Sequence, residues 1–433
     1  MKDPVYRSLL VLTTLFVTLF FLSCTNPEAE GLTVYTGATV WTGTGEEPLQ
    51  NAAVEVRDGK IVEVYSLDEK KPPRGAAVVL ADEKYIIPGL INAHGHLAVA
   101  RDAVDTGPSA ASTDNVLYQL RLYARYGITY VVSLGDEPIH AFLVRDTVTP
   151  EEGKMARFKL AGTVLDPSTP EDVESQLEKL VQLNPDWVKI RVDDELGTAE
   201  KMSPETYRTV IESAHELDLP VAVHIVTLED AKNVVEAGAD LVAHSVRNAP
   251  VDNELIDLML ENNVCITPTL TREVSTYIYA ERPPFFDDPF FLKEVPEWVV
   301  ERLQVAEVQD FFKGPEADFF RDALPLAERN MMALHDAGVK IAMGTDSGPP
   351  ARFQGYFEHM EMEMMEAAGM SPEEVLTSAT RYAAQCTGII EEAGTLEPGK
   401  SADFLILEQN PLESIRNLRS IEEVYVGGIK VEM

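Results

Sequence analysis

Basic residues are scarce in this chain: 36 Lys and Arg stand against 72 Asp and Glu in 433 residues, a formal net charge of −36. No basic cluster longer than Lys70-Lys71 relieves that acidity. A phosphate backbone would be repelled, which excludes nucleic acid as a partner and leaves the acidic surface as a solubility device. Cysteine is scarcer still. Of three in all, only Cys265 and Cys386 lie beyond the first segment, and their spacing suggests no metal site. Two buried free thiols are expected there. Internal repeats and low-complexity tracts are absent. What remains, 433 residues at 45% hydrophobic composition, can bury a large core and suits one barrel with a smaller module better than several compact domains.

The first residues read as an export signal. Lys2 and Arg7 precede an apolar run over 9–22, which meets Ser23-Cys24. The run falls short of the roughly 20 residues that cross a bilayer core as a helix, so a cleaved signal at 1–24 is expected rather than a permanent span. Phe21-Leu22-Ser23-Cys24 resembles the lipobox of bacterial lipoproteins, which implies lipidation at Cys24 and anchoring of the exported protein in the cell envelope through lipid alone. The polar segment 25–31 would be the tether.

Beyond it, short alternating strands split by turns such as Asp58-Gly59 occupy 32–84, and the same texture returns over 391–433. Neither stretch makes a good sandwich alone, so the two ends are expected to pair into one small β-sandwich. Between them, over 85–390, apolar strands alternate with amphipathic helical stretches, the pattern of a parallel α/β fold. Eight strands are expected, at 85–91, 129–133, 158–161, 187–192, 221–224, 241–244, 264–267 and 339–343, and eight point to a closed (β/α)8 TIM-type barrel. The connection 270–338 is far longer than the others and rich in Phe, and it is expected to build over the active-site face.

Chemistry gathers at strand ends. In Asn92-Ala93-His94-Gly95-His96 the two-residue period of a strand sends His94 and His96 the same way, toward the barrel mouth. His224 ends the fifth strand, His244 ends the sixth, and Asp346 follows the eighth in Gly344-Thr345-Asp346-Ser347-Gly348. C-terminal strand ends of a barrel converge, and four His with one Asp make a ligand set for Zn2+ or a similar first-row cation. Lys189 sits on the inward fourth strand, where an unpaired ammonium is costly. Reaction of its neutral amine with CO2 would give a carbamate able to bridge two cations. Arg191 and His359 are the candidate substrate contacts, and His140, His215 and His335 receive no role.

These motifs, with the run Gly394-Thr395-Leu396-Glu397-Pro398-Gly399-Lys400-Ser401-Ala402-Asp403, resemble the amidohydrolase superfamily, and within it the imidazolonepropionase-related and prolidase-like amidohydrolases. One departure is Asn92, where the family often carries Asp. The resemblance implies two divalent ions, Zn2+ expected, with His94, His96 and Asp346 on the first, His224 and His244 on the second, and carbamylated Lys189 between them. It implies hydrolysis of a C–N bond in an amide, cyclic amide or short peptide by a hydroxide shared between the metals, Asp346 moving the proton. A mononuclear imidazolonepropionase-like enzyme or deaminase, an Xaa-Pro or related dipeptidase, and a solute-binding surface lipoprotein are the alternatives. The partner expected is a small-molecule substrate, and a homo-oligomer is compatible with the sequence.

Overall fold

The computed structural model describes residues 29–102 and 104–433. The expected export signal, Cys24 and most of the expected tether lie outside the described residues. Among those described, no helix is long and apolar enough to cross a membrane.

Both chain ends enter one mixed sheet. Its strands run in the order β15 (Ile429–Lys430), β14 (Ile421–Val426), β13 (Phe404–Leu407), β5 (Tyr85–Pro88), β1 (Thr33–Val40), β2 (Leu49–Arg57) and β3 (Lys60–Ser66), with β4 (Ala77–Leu80) paired to β1. The returning end is therefore seated beside the departing one. Phe404 stacks on Tyr425 with ring centroids 4.6 Å apart, and Tyr35 meets both rings edge-on at 4.8 and 4.9 Å. This aromatic seam closes the apolar face of the sheet, since offset and edge-to-face rings add to plain area burial.

The rest is a TIM-barrel-like α/β fold. Three parallel strands, β6 (Leu90–Gly95), β7 (Ile128–Ser133) and β8 (Arg157–Leu160), form one sheet, and four more, β9 (Val188–Val192), β10 (Val221–Ile225), β11 (Leu241–Ala243) and β12 (Cys265–Thr267), form a second. Single bridges, not ladders, span the gaps between them: Leu165 to Ile190, Ile266 to Ile341 and Gly95 to Ser347. The expected first strand at 85–91 is divided at Gly89, so that its front half belongs to the mixed sheet. A Cβ at Gly89 would lie 2.0 Å from Thr129 Oγ1, and only glycine lets the two chains pass there.

The expected eighth strand is an irregular segment that hydrogen-bonds to both neighbours. Ala342 N donates to Ile266 O at 2.9 Å on one side, and Ala93 N to Met343 O at 2.8 Å on the other. Here Gly344 is wedged so tightly that a Cβ would meet Thr267 Oγ1 at 2.2 Å. The segment is bent by that crossing, which is why it lacks a regular ladder while still delivering Asp346 beside His94.

Two expectations are corrected. Cys265 and Cys386 are joined in a disulfide, their Cα atoms 5.8 Å apart across 121 residues of sequence. Such a pair is invisible in spacing because β12 and the helix Ala383–Cys386 meet only in the folded core. The 270–338 connection does line the cavity at the C-terminal strand ends, through Arg272, Pro315, Glu316 and Phe320, but its aromatic run at 285–291 is not in that lining. Phe285, Phe286 and Phe291 are buried with Phe353, Tyr356 and Phe357 in a core of their own, because so much apolar surface is better removed from water by mutual packing.

Candidate metal centre

A cavity of about 750 Å³ opens at the C-terminal strand ends, and His94, His96, Lys189, Arg191, His224, His244 and Asp346 all line it. Four imidazoles form a continuous row. His96 and His94 have ring centroids 5.5 Å apart, His94 and His244 5.0 Å, and His244 and His224 4.3 Å. Five strand segments of the chain supply these residues, so their convergence follows from topology rather than from local sequence.

One corner of the row is tightly wired. His96 Nδ1 faces Gly135 O at 2.8 Å, which turns Nε2 toward Asp346 Oδ1 at 2.7 Å. His94 Nε2 approaches the same oxygen at 3.6 Å, and His94, His96 and Asp346 together offer ligand atoms within 4.8 Å of one another. Burial lowers His96, yet the hydrogen bond and charge of Asp346 outweigh it and leave the ring above its usual pKa. His94 is pushed well below, by burial and then by Lys189. Burial would raise the Asp346 carboxyl, but Arg352, His96 and His94 hold it well below the carboxylate range.

The other corner is looser. His244 Nδ1 is fixed on Thr269 Oγ1 at 2.6 Å, whereas His224 Nε2 lies 3.1 Å from Asp193 Oδ2. Burial drives Lys189 down to about 7. Its Nζ and the Nδ1 of His94 are buried and have no hydrogen-bond partner among the described residues. Buried polar atoms are ordinarily satisfied, so a row of imidazoles, three of them held neutral by burial, beside an orphaned amine and a carboxylate suits a bound divalent cation.

The family model for the amidohydrolase family matches residues 85–431. The chain belongs to the amidohydrolase family. It is thereby a metal-dependent hydrolase of carbon–nitrogen bonds. An uncharacterised protein of Mycobacterium tuberculosis is 22% identical over 381 residues, 86% of this chain and 92% of the relative. Imidazolonepropionase of Agrobacterium fabrum is 40% identical over 89 residues, 20% of each chain. The fold is shared with a candidate prolidase from Bifidobacterium longum (TM-score 0.74, 24% identity, 93% and 95% of the two chains). It is shared too with a Xaa-Pro dipeptidase carrying bound methionine (TM-score 0.74, 21% identity, 93% and 100%).

Of the two expected substrate contacts in this amidohydrolase, Arg191 lines the cavity and pairs with Asp136 at 3.0 Å. His359 does not line it. Its ring is buried against Phe290, centroids 4.8 Å apart, with Nε2 2.8 Å from Tyr126 O. The helix Tyr356–Ala368 turns that residue away and presents its neighbour instead. Glu358 Oε1 accepts from Asn92 Nδ2 at 2.6 Å, Thr345 Oγ1 at 2.7 Å and Ser347 Oγ at 2.6 Å. One buried carboxylate thus ties the His94 strand to both flanks of Asp346. This accounts for Asn92: an Asp there would set a second carboxylate against Glu358. Sequence reasoning missed Glu358 and also the arginines Arg247, Arg272 and Arg352, because helix starts and loops, where these long side chains arise, set no direction that spacing reveals.

Proposed function

We propose that the chain hydrolyses an amide, cyclic amide or short-peptide C–N bond at a binuclear centre. His94, His96 and Asp346 would hold one divalent ion, His224 and His244 the second, with Zn2+ the ion of choice and Lys189, carbamylated by CO2, between them. The observation that carries this reading is the unbroken row of four imidazoles with the partnerless Lys189 amine beside it. A free ammonium next to two cations would be repelled strongly, and an amine brought to about 7 by burial has the neutral form that carbamylation needs. Bound divalent cations polarise a carbonyl and acidify water near neutral pH. In this reading Asp346 would take the proton of the attacking water and pass it to the leaving amine; its contacts with His96 and Arg352 support that role. The Glu358 network keeps that carboxylate in register.

Purified protein is expected to carry close to two divalent ions per chain by elemental analysis and to cleave members of a panel of N-acyl amino acids, dipeptides and cyclic amides. One ion per chain in both wild type and Lys189→Ala, with activity kept in the variant, would overturn the binuclear reading. The hydrogen bond between His224 and Asp193 favours a second reading, a mononuclear imidazolonepropionase-like centre, and that outcome would establish it.

We read 85–390 as the catalytic unit, supported by 32–84 with 391–433. Export with a lipid anchor at Cys24 belongs to the same proposal. The buried disulfide supports it, since such bonds persist in oxidising compartments. Detergent-phase partition of wild type, lost in Cys24→Ala, is the expected result.

A further inference from the structure

Two arginines of the cavity wall are matched one to one. Arg191 pairs with Asp136 and Arg352 with Asp346. Arg272 and Arg247 are the exception, because they share a single carboxylate. Glu273, fully buried, lies 3.1 Å from Arg272 Nη1 through Oε2 and 3.0 Å from Arg247 Nη1 through Oε1. Arg247 is itself completely buried, and its Nε and Nη2 have no hydrogen-bond partner among the described residues. Burial lowers Arg247 only to about 10, so it stays charged at neutral pH. Two guanidiniums against one carboxylate leave one positive charge surplus in a desolvated wall.

That surplus faces the site. Arg272 lines the cavity, as does Phe320, and the Arg272 Cζ lies 4.1 Å from the centroid of that ring. Arg247 Cζ stands 5.6 Å from the same ring. The cavity also bears carboxylates at Asp136, Asp193, Glu195 and Glu316; Asp136, Glu195 and Glu316 are exposed and screened by water, while Asp193 is half-buried and engaged by His224. A buried guanidinium whose carboxylate is shared and whose Nε and Nη2 are unmatched is costly, and a planar guanidinium matches a carboxylate with two parallel N–H groups.

We infer that Arg272, backed by Arg247 and stacked on Phe320, is the subsite for a free carboxylate of the substrate, so that the amidohydrolase acts on N-acyl amino acids or dipeptides rather than on cyclic or neutral amides. The inference rests on the reading of the cavity as the place of C–N hydrolysis and narrows its substrate class.

Products test it without turnover. Free amino acids (phenylalanine, methionine, proline) and their carboxamides are titrated calorimetrically into the full-length, metal-containing protein. At least one acid is expected to bind about tenfold or more tighter than its carboxamide. Arg272→Met should erase that difference and Arg272→Lys keep part of it, both with wild-type metal content and far-ultraviolet circular dichroism. In turnover, Arg272→Met should raise KM for N-acyl amino acids more than it lowers kcat. Equal affinity for acid and carboxamide in wild type, no binding of any acid at millimolar concentration, or a preference surviving in Arg272→Met would overturn the assignment; the last result would mean that a bound cation holds the carboxylate. Failure of the hydrolytic reading shows separately, as missing metal and no turnover of any substrate, while the acid-to-carboxamide comparison stands or falls on binding alone.

Discussion

At one corner of the cavity two of the three candidate ligands are aimed by a second group: Gly135 O orients His96, Arg352 and His96 grip the two oxygens of Asp346, and Glu358 ties down the loop beneath. At the other corner His224 is engaged by Asp193, and the Lys189 amine has no partner among the described residues. The first corner is assembled before anything binds, while the second must exchange partners. Groups behind the ligands set ligand orientation and basicity, so the two corners should differ in how firmly they keep an ion.

The largest effect is expected from the wired corner. His96→Ala or Asp346→Asn should lower kcat/KM on the order of a thousandfold and release both ions, as read by elemental analysis. Retention of full metal content in either variant would break the comparison. A chelator should empty the looser corner first, giving a stable one-ion form during dialysis, and simultaneous loss of two ions would equally count against it.

Next comes Lys189→Ala, expected to keep about one ion and lose most activity, with part of the rate restored by acetate or propionate occupying the vacated space. Glu358→Gln should be milder. Losing one buried charge that four donors address is expected to cost about ten- to hundredfold in activity or metal affinity and on the order of 2 kcal/mol in stability, measured by urea unfolding. A Glu358→Gln enzyme with wild-type metal affinity would mean that the wiring of Asp346 is incidental.

The histidines were legible because a strand allows few choices. Its two-residue period sends His94 and His96 to one side, and parallel strands bring His224 and His244 to the same end. Lys189 was legible for the same reason, as a charge on an inward strand. Glu358 and the arginines were not, since a helix start or a loop sets no direction that spacing reveals. The aromatic run at 285–291 misled for a different reason: apolar residues in an insertion signal burial somewhere, and only the fold decides whether they pack over a ligand or against one another. Asn92, read first as a departure from family habit, gains its explanation from Glu358, 266 positions away.

The smallest effect on catalysis is expected from the disulfide, which lies away from the cavity-lining residues. Cys265→Ser should destabilise by about 2–4 kcal/mol and leave kcat and KM within twofold of wild type. A larger kinetic change would show that β12 transmits strain to Thr267 and the Gly344 crossing.

The Cys265–Cys386 bond also makes a covalent circle of the chain between its two ends, and that circle contains the whole 270–338 insertion, with Phe311 standing 80% exposed on it, together with Asp346 and Glu358. A protease that cuts the insertion therefore opens a loop without separating its halves. The nicked protein would run as one species until reduced, and the pieces bearing His244 and Asp346 would stay fastened across the cut.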